Sequence, residues 1–290
     1  MIPKRIISGK TQIYAILGDP IYHSLSPIIH NEAFRIKDLD KVFIALKTNE
    51  ENLKLAIEAT HSLNLRGLSI TMPLKEIIVD YLDDLSTDAQ IIGAVNCIIN
   101  NEGALIGHNT DGKGFSLSLR DMGMCDIENV FIFGAGGVAK AIIVQLMLEN
   151  IRNIYITNRH IRRAKVLEEK YRNISSSRIN IIEWNYEEWS KVINNCDLLI
   201  NATSLGMRDI GDLSAMIQWR IINRNIIIYD TIYEPLETKL VKKSKELNLR
   251  VVSGINLLVY QASIAFNLWT KEDFPLIVIK KEISSLLNAN

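Results

Sequence analysis

Apolar residues in this chain fall into short runs separated by polar stretches, not into one long block. The runs at 12–18, 42–47 and 67–71 are rich in Ile, Val, Leu and aromatic residues and read as strands. Helical spacing occupies 27–37 and 50–63 between them, and about 75–82 after them. Residues 94–99 and 104–107 flank Asn100-Asn101-Glu102-Gly103 and predict a hairpin. Strand and helix alternate in this half, the sign of a mostly parallel sheet. A helix is expected from Asp111-Gly112 through Arg120. Alternation then resumes, with strands at 130–133, 153–157, 198–201, 225–229 and 251–252. The helices between them are expected at 138–148, 162–171, 186–194 and 236–247. Two further helices, 255–269 and 275–287, close the chain.

One junction carries chemistry. The strand Val130-Phe131-Ile132-Phe133 runs straight into Gly134-Ala135-Gly136-Gly137, and a helix follows at once. Gly134, Gly136 and Ala139 make a G-x-G-x-x-A pattern. The first glycine suits a sharp turn, the second lets backbone approach a pyrophosphate, and the alanine lets helix pack on strand. The fresh helix N-terminus offers unpaired N–H groups to phosphate. Strand, turn and helix together read as a dinucleotide-binding unit.

Composition narrows the rest. At 290 residues, two domains are expected. The 33 basic and 33 acidic residues cancel without forming a basic block, which argues against a nucleic-acid partner. No apolar run reaches the ~18 residues of a membrane helix, and the opening MIPKRIISGK lacks the apolar middle of a leader. Cys97, Cys125 and Cys196 have no C-x-x-C spacing and read as reduced, buried thiols of a cytoplasmic protein. The five histidines are scattered, so no metal site is expected.

The nucleotide is chosen at the end of the second strand of such a unit. NAD-selective sites place a carboxylate there, about 20 residues past the glycines, on the ribose hydroxyl. Here the strand ends in Thr157-Asn158-Arg159-His160, with Arg162 and Arg163 following. Guanidinium groups suit a 2′-phosphate, so NADP is expected, although either of the last two arginines also reads as a solvated helix residue. A nicotinamide enzyme reducing a ketone must supply a proton to the developing alkoxide. Lys75, after Thr71-Met72-Pro73, and Asp111, at the domain crossing, are the candidates outside the nucleotide unit. Taken singly, Lys75 is also an ordinary surface lysine and Asp111 an ordinary helix cap.

These segments bring the chain to a family. Ser24-Leu25-Ser26-Pro27, the stretch 67–75 (GLSITMPLK), Gly93-Ala94-Val95-Asn96 and Asn109-Thr110-Asp111-Gly112 resemble shikimate dehydrogenases. So do the glycine turn, Asn158-Arg159, and the stretches 201–207, 230–238 (DTIYEPLET) and 254–261. The order and spacing of all of them cover nearly the whole length. The resemblance implies reversible NADPH-dependent reduction of 3-dehydroshikimate to shikimate, on the route to chorismate and the aromatic amino acids. It implies Lys75 and Asp111 as the catalytic pair. It implies Ser24 and Ser26 on the substrate carboxylate, Thr71, Asn96, Asp111 and Gln261 on ring hydroxyls, and Tyr233 at the carboxylate end. Gly134, Ala135, Gly136 and Gly137 would meet the pyrophosphate. Asn158, Arg159 and Arg163 would meet the adenosine phosphate, and Thr203, Gly254 and Leu257 would lie near the rest of the cofactor.

Some positions depart from the family. Ser69 stands where Asn is usual, and 268–275 looks more like the branch that also oxidises quinate. A quinate/shikimate dehydrogenase using NAD or NADP is therefore the alternative. His160 replaces a usual Thr, Leu257 a usual Met, and His108 a usual Tyr. The expected architecture is α/β. A substrate domain with a mostly parallel sheet (1–111, completed by 255–290) and a Rossmann-like domain (112–254) would flank a cleft, in a monomer or homodimer.

Overall fold

The computed structural model describes residues 7–207 and 210–288, with side chains as far as 286. Residues 1–6, most of the stretch read above for a leader, lie outside that part. The chain divides into two compact units, Met1–Thr110 with Gln261–Asn290, and Asp111–Tyr260.

The first unit begins with β1 (Gln12–Gly18), α1 (Ser26–Ile36), β2 (Lys41–Lys47), α2 (Leu53–Ser62) and β3 (Gly67–Ile70). It continues with β4 (Asp84–Leu85), α3 (Thr87–Ile92), β5 (Cys97–Asn101) and β6 (Ala104–His108). The sheet runs β2-β1-β3-β5-β6-β4. Parallel pairs β1–β2, β1–β3 and β4–β6 predominate, and β5 inserts antiparallel to both β3 and β6. The expected hairpin is β5–β6. Its two-residue loop, Glu102-Gly103, has φ of 52° and 101°, the mirror-image turn that matches strand twist. Continuous apolar runs form β1 and β3 because both are buried in the middle of the sheet. Leu17, Leu68, Ile70, Leu74, Ile78, Ile98 and Leu105 build the core there.

The second unit contains α4 (Asp111–Asp121), β7 (Asn129–Phe133), α5 (Gly137–Leu148), β8 (Asn153–Thr157) and α6 (Ile161–Tyr171). Then come β9 (Arg178–Ile182), α7 (Tyr186–Ile193), β10 (Leu198–Asn201), β11 (Ile227–Asp230), α8 (Lys239–Glu246) and β12 (Arg250–Val252). Every adjacent pair in the order β12-β11-β10-β7-β8-β9 is parallel. Counted from β7, this is the 3-2-1-4-5-6 order of a doubly wound dinucleotide fold, and the order reverses between β7 and β10. Helix α5 is apolar on nearly every face and correspondingly buried, from Ala139 to Met147. Asn185 and Thr238 cap α7 and α8, accepting the N–H groups of Glu187 and Val241. Helix α9 (Gly254–Thr270) opens in this unit; its end and α10 (Leu276–Asn288) count with the first.

Several local readings change. The helix expected at 75–82 is a short 3-10 segment, Ile77–Tyr81. The β-branched Ile77-Ile78-Val79 disfavours a regular α-helix, while buried Leu74 and Ile78 pin the segment to the core. Helix α3 and strands β4 and β9 go unread because each is short and its apolar positions are few. The helix expected at 27–37 starts one residue earlier: Leu25 adopts helical φ and ψ, so Ser26 is already helical, and Ser24 Oγ accepts its N–H at 3.3 Å. Cys97 and Cys196 are buried, but Cys125 is exposed.

His30 is buried on α1 with Phe43 stacked at 4.5 Å and Trp269 at 5.0 Å. Neither ring nitrogen has a hydrogen-bond partner among the described residues. Burial pushes the imidazole from its usual 6.5 down to about 3. Protonation therefore favours the unfolded chain, and stability that is full above pH 6.5 falls as the pH drops toward 3. Chemical denaturation at pH 7 and about pH 4.5 should show the wild type losing roughly 2 kcal/mol more than His30→Phe. Parallel losses in the two proteins would contradict this.

Candidate active site

In the first unit the candidate substrate residues Ser24, Thr71 and Asn96 lie in loops beside strands and helices, Ser26 opens α1 and Gln261 lies in α9. Thr71 follows β3, its N–H donating to the Leu17 carbonyl at 2.9 Å and its own carbonyl accepting from Leu74 at 2.9 Å. That turn sets Lys75, whose carbonyl accepts the Val95 N–H at 2.8 Å. Lys75 is half-buried. Asn96 is buried. Its Oδ1 accepts the Thr110 N–H at 2.7 Å, and its Nδ2 donates to Thr110 Oγ1 at 3.0 Å and to Gln261 Oε1 at 3.3 Å. Asn109 Nδ2 ties the same loop to the Ala94 carbonyl at 2.9 Å. Asn96 and Gln261, 165 positions apart in sequence, are thus brought together. Ser26 is buried and Ser24 half-buried at the start of α1. His108 ends β6 and accepts the Asn96 N–H on its carbonyl at 3.1 Å. Ser69 is buried in β3, paired with Cys97.

In the second unit the carboxyl ends of β7 and β10 meet at the point of strand reversal, where such folds bind ligand. Gly134 takes φ of 115°, a region that L side chains avoid, and a β-carbon on it would lie 2.5 Å from the Ala202 carbonyl oxygen. Gly136 precedes α5, and a β-carbon there would meet nothing within 4 Å. The first N–H groups of α5, beginning at Gly137, have no helical acceptor, so an open space faces a helix N-terminus beside Ala135. That is the shape and polarity a pyrophosphate requires.

The loop after β10 is built on one amide. Asn201 is fully buried. Its Oδ1 accepts the Thr203 N–H at 3.1 Å and hydroxyl at 2.7 Å, and its Nδ2 donates to the Leu205 carbonyl and to Asp230 Oδ1, both at 3.0 Å. Asp230, also fully buried, ends β11. It further accepts the Ile232 N–H at 3.1 Å and the Thr238 hydroxyl at 2.5 Å. Burial pushes its carboxyl up to about 6 even against these donors. Asp230 thereby joins the loop of Thr203 to the loop of Tyr233. The Ile232 carbonyl in turn accepts the Gly254 N–H at 3.2 Å. Tyr233 is half-buried, and burial, then the Glu234 charge, raise its phenol. Leu257 is buried one turn into α9.

Asn158 Nδ2 donates to the His160 carbonyl at 2.9 Å, closing the turn between β8 and α6. Arg159, His160 and Arg163 are exposed around that turn. Asp111 is buried at the first position of α4. A β-carbon on Gly112 would lie 2.7 Å from the Ala141 carbonyl, so α4 packs tightly on α5. Asn201, Asp230, Thr238 and Thr110 fall in segments singled out above, but pattern reading gave none of them its own role as a loop anchor. A polar residue closing a fully apolar strand, as in LLIN and IIYD, was the available signal.

The strand order, the glycine turn at the reversal and the polar cluster of the first unit define a class: a dinucleotide-dependent dehydrogenase with a separate polar-lined unit. Residues 16–98 match the shikimate dehydrogenase substrate binding domain, and residues 116–210 match shikimate / quinate 5-dehydrogenase. A curated relative, the shikimate dehydrogenase (NADP(+)) of Alkaliphilus metalliredigens, is 37% identical over 96% of this chain and 98% of its own. The chain belongs to the shikimate dehydrogenase family. The enzyme of Listeria monocytogenes, solved with shikimate and NAD, superposes with a TM-score of 0.90 at 32% identity, covering 97% of this chain and 99% of that one. A further shikimate dehydrogenase, solved with NADP+, gives 0.89 at 34%, covering 97% and 98%.

The open space at Gly136 makes a direct prediction. Gly136→Val should melt within a few degrees of the wild type, yet bind NADPH at least about tenfold more weakly, about 1.4 kcal/mol. Unchanged affinity in a fluorescence titration would place the pyrophosphate elsewhere.

Proposed function

We propose that this protein reduces 3-dehydroshikimate to shikimate reversibly with NADPH, on the route to chorismate and the aromatic amino acids. The observation that carries the reading is the combination found in one chain. The glycine cradle at strand reversal and the Asn96–Gln261 cluster both occur in a sequence that aligns end to end with shikimate dehydrogenases. The bound nicotinamide supplies the hydride. Gly134, Ala135, Gly136 and Gly137 hold the pyrophosphate with backbone N–H groups. Asn158, Arg159 and Arg163 hold the adenosine phosphate with an amide and charged forks, which favours NADP over NAD. Thr203, Gly254 and Leu257 keep the remaining cofactor in register.

Lys75 donates a proton to the oxygen that becomes the C3 hydroxyl and takes it back in the reverse direction. Asp111 balances and orients that ammonium. Ser24 and Ser26 bind the substrate carboxylate beside the N-terminus of α1, with Tyr233 at the same end. Thr71, Asn96, Asp111 and Gln261 hold ring hydroxyls. Residues 1–111 with 255–290 supply most of the groups for the small polyol acid, joined by Tyr233, and 112–254 supply most of those for NADP, joined by Leu257. We place the enzyme in the cytoplasm, as a monomer or homodimer that uses neither nucleic acid nor membrane. Among the described residues no helix is long and apolar enough to cross a bilayer.

The second reading, a quinate/shikimate dehydrogenase using NAD or NADP, rests on Ser69, a small buried residue where the family carries Asn. Initial rates over four pairings, shikimate or quinate with NADP or NAD, decide between the two. Shikimate with NADP should be fastest; quinate with NAD being fastest would overturn the first reading. Lys75→Ala should lower kcat by about 10²–10⁴ and leave KM within a few-fold. Turnover at the wild-type rate would remove Lys75 from the reaction.

A further inference from the structure

Helix α4 carries Asp111, Phe115 and Ser118 at spacings of four and three, so all three lie on one face. All three are buried. Tyr229, the penultimate residue of β11, packs against that face. Its ring centroid lies 4.8 Å from that of Phe115, and its hydroxyl lies 2.7 Å from Ser118 Oγ. Donor and acceptor can be assigned. Ser118 Oγ is 2.7 Å from the Phe115 carbonyl, which only accepts, so the serine proton is committed there. Ser118 must then accept from Tyr229, and the fully buried phenol is the donor. Burial, and after it the nearby Asp111 charge, push the phenol well above its usual range and keep that proton in place. The opposite constraint on the helix is the contact of Gly112 with the Ala141 carbonyl in α5.

We propose that Tyr229 and Ser118 are positioning residues for the Asp111 carboxylate, locking the rotation of α4 through the relay Tyr229 O–H to Ser118 Oγ to the Phe115 carbonyl. The proposal rests on the reading of Asp111 given under the proposed function. Leverage supplies the magnitude. A side-chain tip ~6 Å from a helix axis moves about 1 Å when the helix turns ~10°, and ~1 Å of misplacement can cost about 10² in rate. Side chains of successive strand residues face opposite ways, so β11 serves two functions at its end. Asp230 organises the loops of Thr203 and Tyr233, while Tyr229 sets the helix of Asp111.

Tyr229→Phe keeps the ring and removes only the hydroxyl. It should lower kcat about 5- to 50-fold, with KM for shikimate and affinity for NADPH within about twofold of the wild type. Ser118→Ala should do the same, and the double variant should lose little more than either single one, because both break one relay. In an Asp111→Asn background, Tyr229→Phe should have no further effect on the residual kcat; a general loss of stability would lower it again. Active-site concentration is fixed by NADPH titration, and Ser118→Ala carries the test should Tyr229→Phe fold poorly. Wild-type kcat in the well-folded variants, or an unchanged fold-loss in the Asp111→Asn background, would overturn the proposal. A wild-type protein that binds NADPH but turns over neither shikimate nor 3-dehydroshikimate would instead remove the function on which it stands.

Discussion

The second unit depends on a contact too close for any side chain, that of the Gly134 α-carbon with the Ala202 carbonyl. Strands β7 and β10 are hydrogen-bonded neighbours, so the chains leaving them must diverge or collide. Gly134 resolves this by adopting a φ of 115° and passing over Ala202 with no β-carbon. Helix α5 then begins three residues later, and its N-terminus faces the gap that the reversal of strand order creates. The other side of that gap is the loop held by Asn201. One steric condition therefore sets the phosphate cradle and the loop opposite it together.

The polar groups beside this contact illustrate how a buried site is held rigid. An uncompensated buried amide or carboxylate costs several kcal/mol, so each must find partners. Asn201 uses both amide hydrogens and its oxygen, and Asp230 accepts from a backbone N–H, a hydroxyl and an amide. Asn96 does the same in the first unit with Thr110 and Gln261. Once satisfied, these groups have few alternative arrangements, which holds the loops of Thr203 and Tyr233 in one conformation. The aromatic box around His30 follows the opposite logic. There a titratable ring is buried with no hydrogen-bond partner among the described residues, and the fold retains it as a neutral aromatic.

Much of this architecture is legible in the amino acids themselves. The buried strands of the nucleotide unit are unbroken apolar runs, and the glycine turn stands directly after one of them. The β5–β6 hairpin is readable because Glu102-Gly103 satisfies a turn that demands two positive φ values. Short elements such as β4, β9 and α3 escape because two to six residues carry too little periodicity. The start of α1 lies one residue before its apolar pattern because Leu25 already adopts helical angles. Residue chemistry leaves Lys75 and Asp111 as candidates beside ordinary surface and capping readings; family resemblance pairs them and adds Gln261, which no local pattern singles out. Ser118 and Tyr229 stay hidden because their meaning lies in each other, 111 positions apart, and the pairing of Asn201 with Asp230 is no more visible along the chain.

The central claim is that a hydride passes between NADPH and the carbonyl carbon of 3-dehydroshikimate on this protein. The most direct measurement supplies 3-dehydroshikimate with NADPH carrying deuterium at the transferable position and weighs the product by mass spectrometry. Shikimate bearing one deuterium, on the carbon that was the carbonyl, is the predicted result. Oxidation of NADPH without deuterated shikimate, or no oxidation by a protein that binds both ligands, would contradict it.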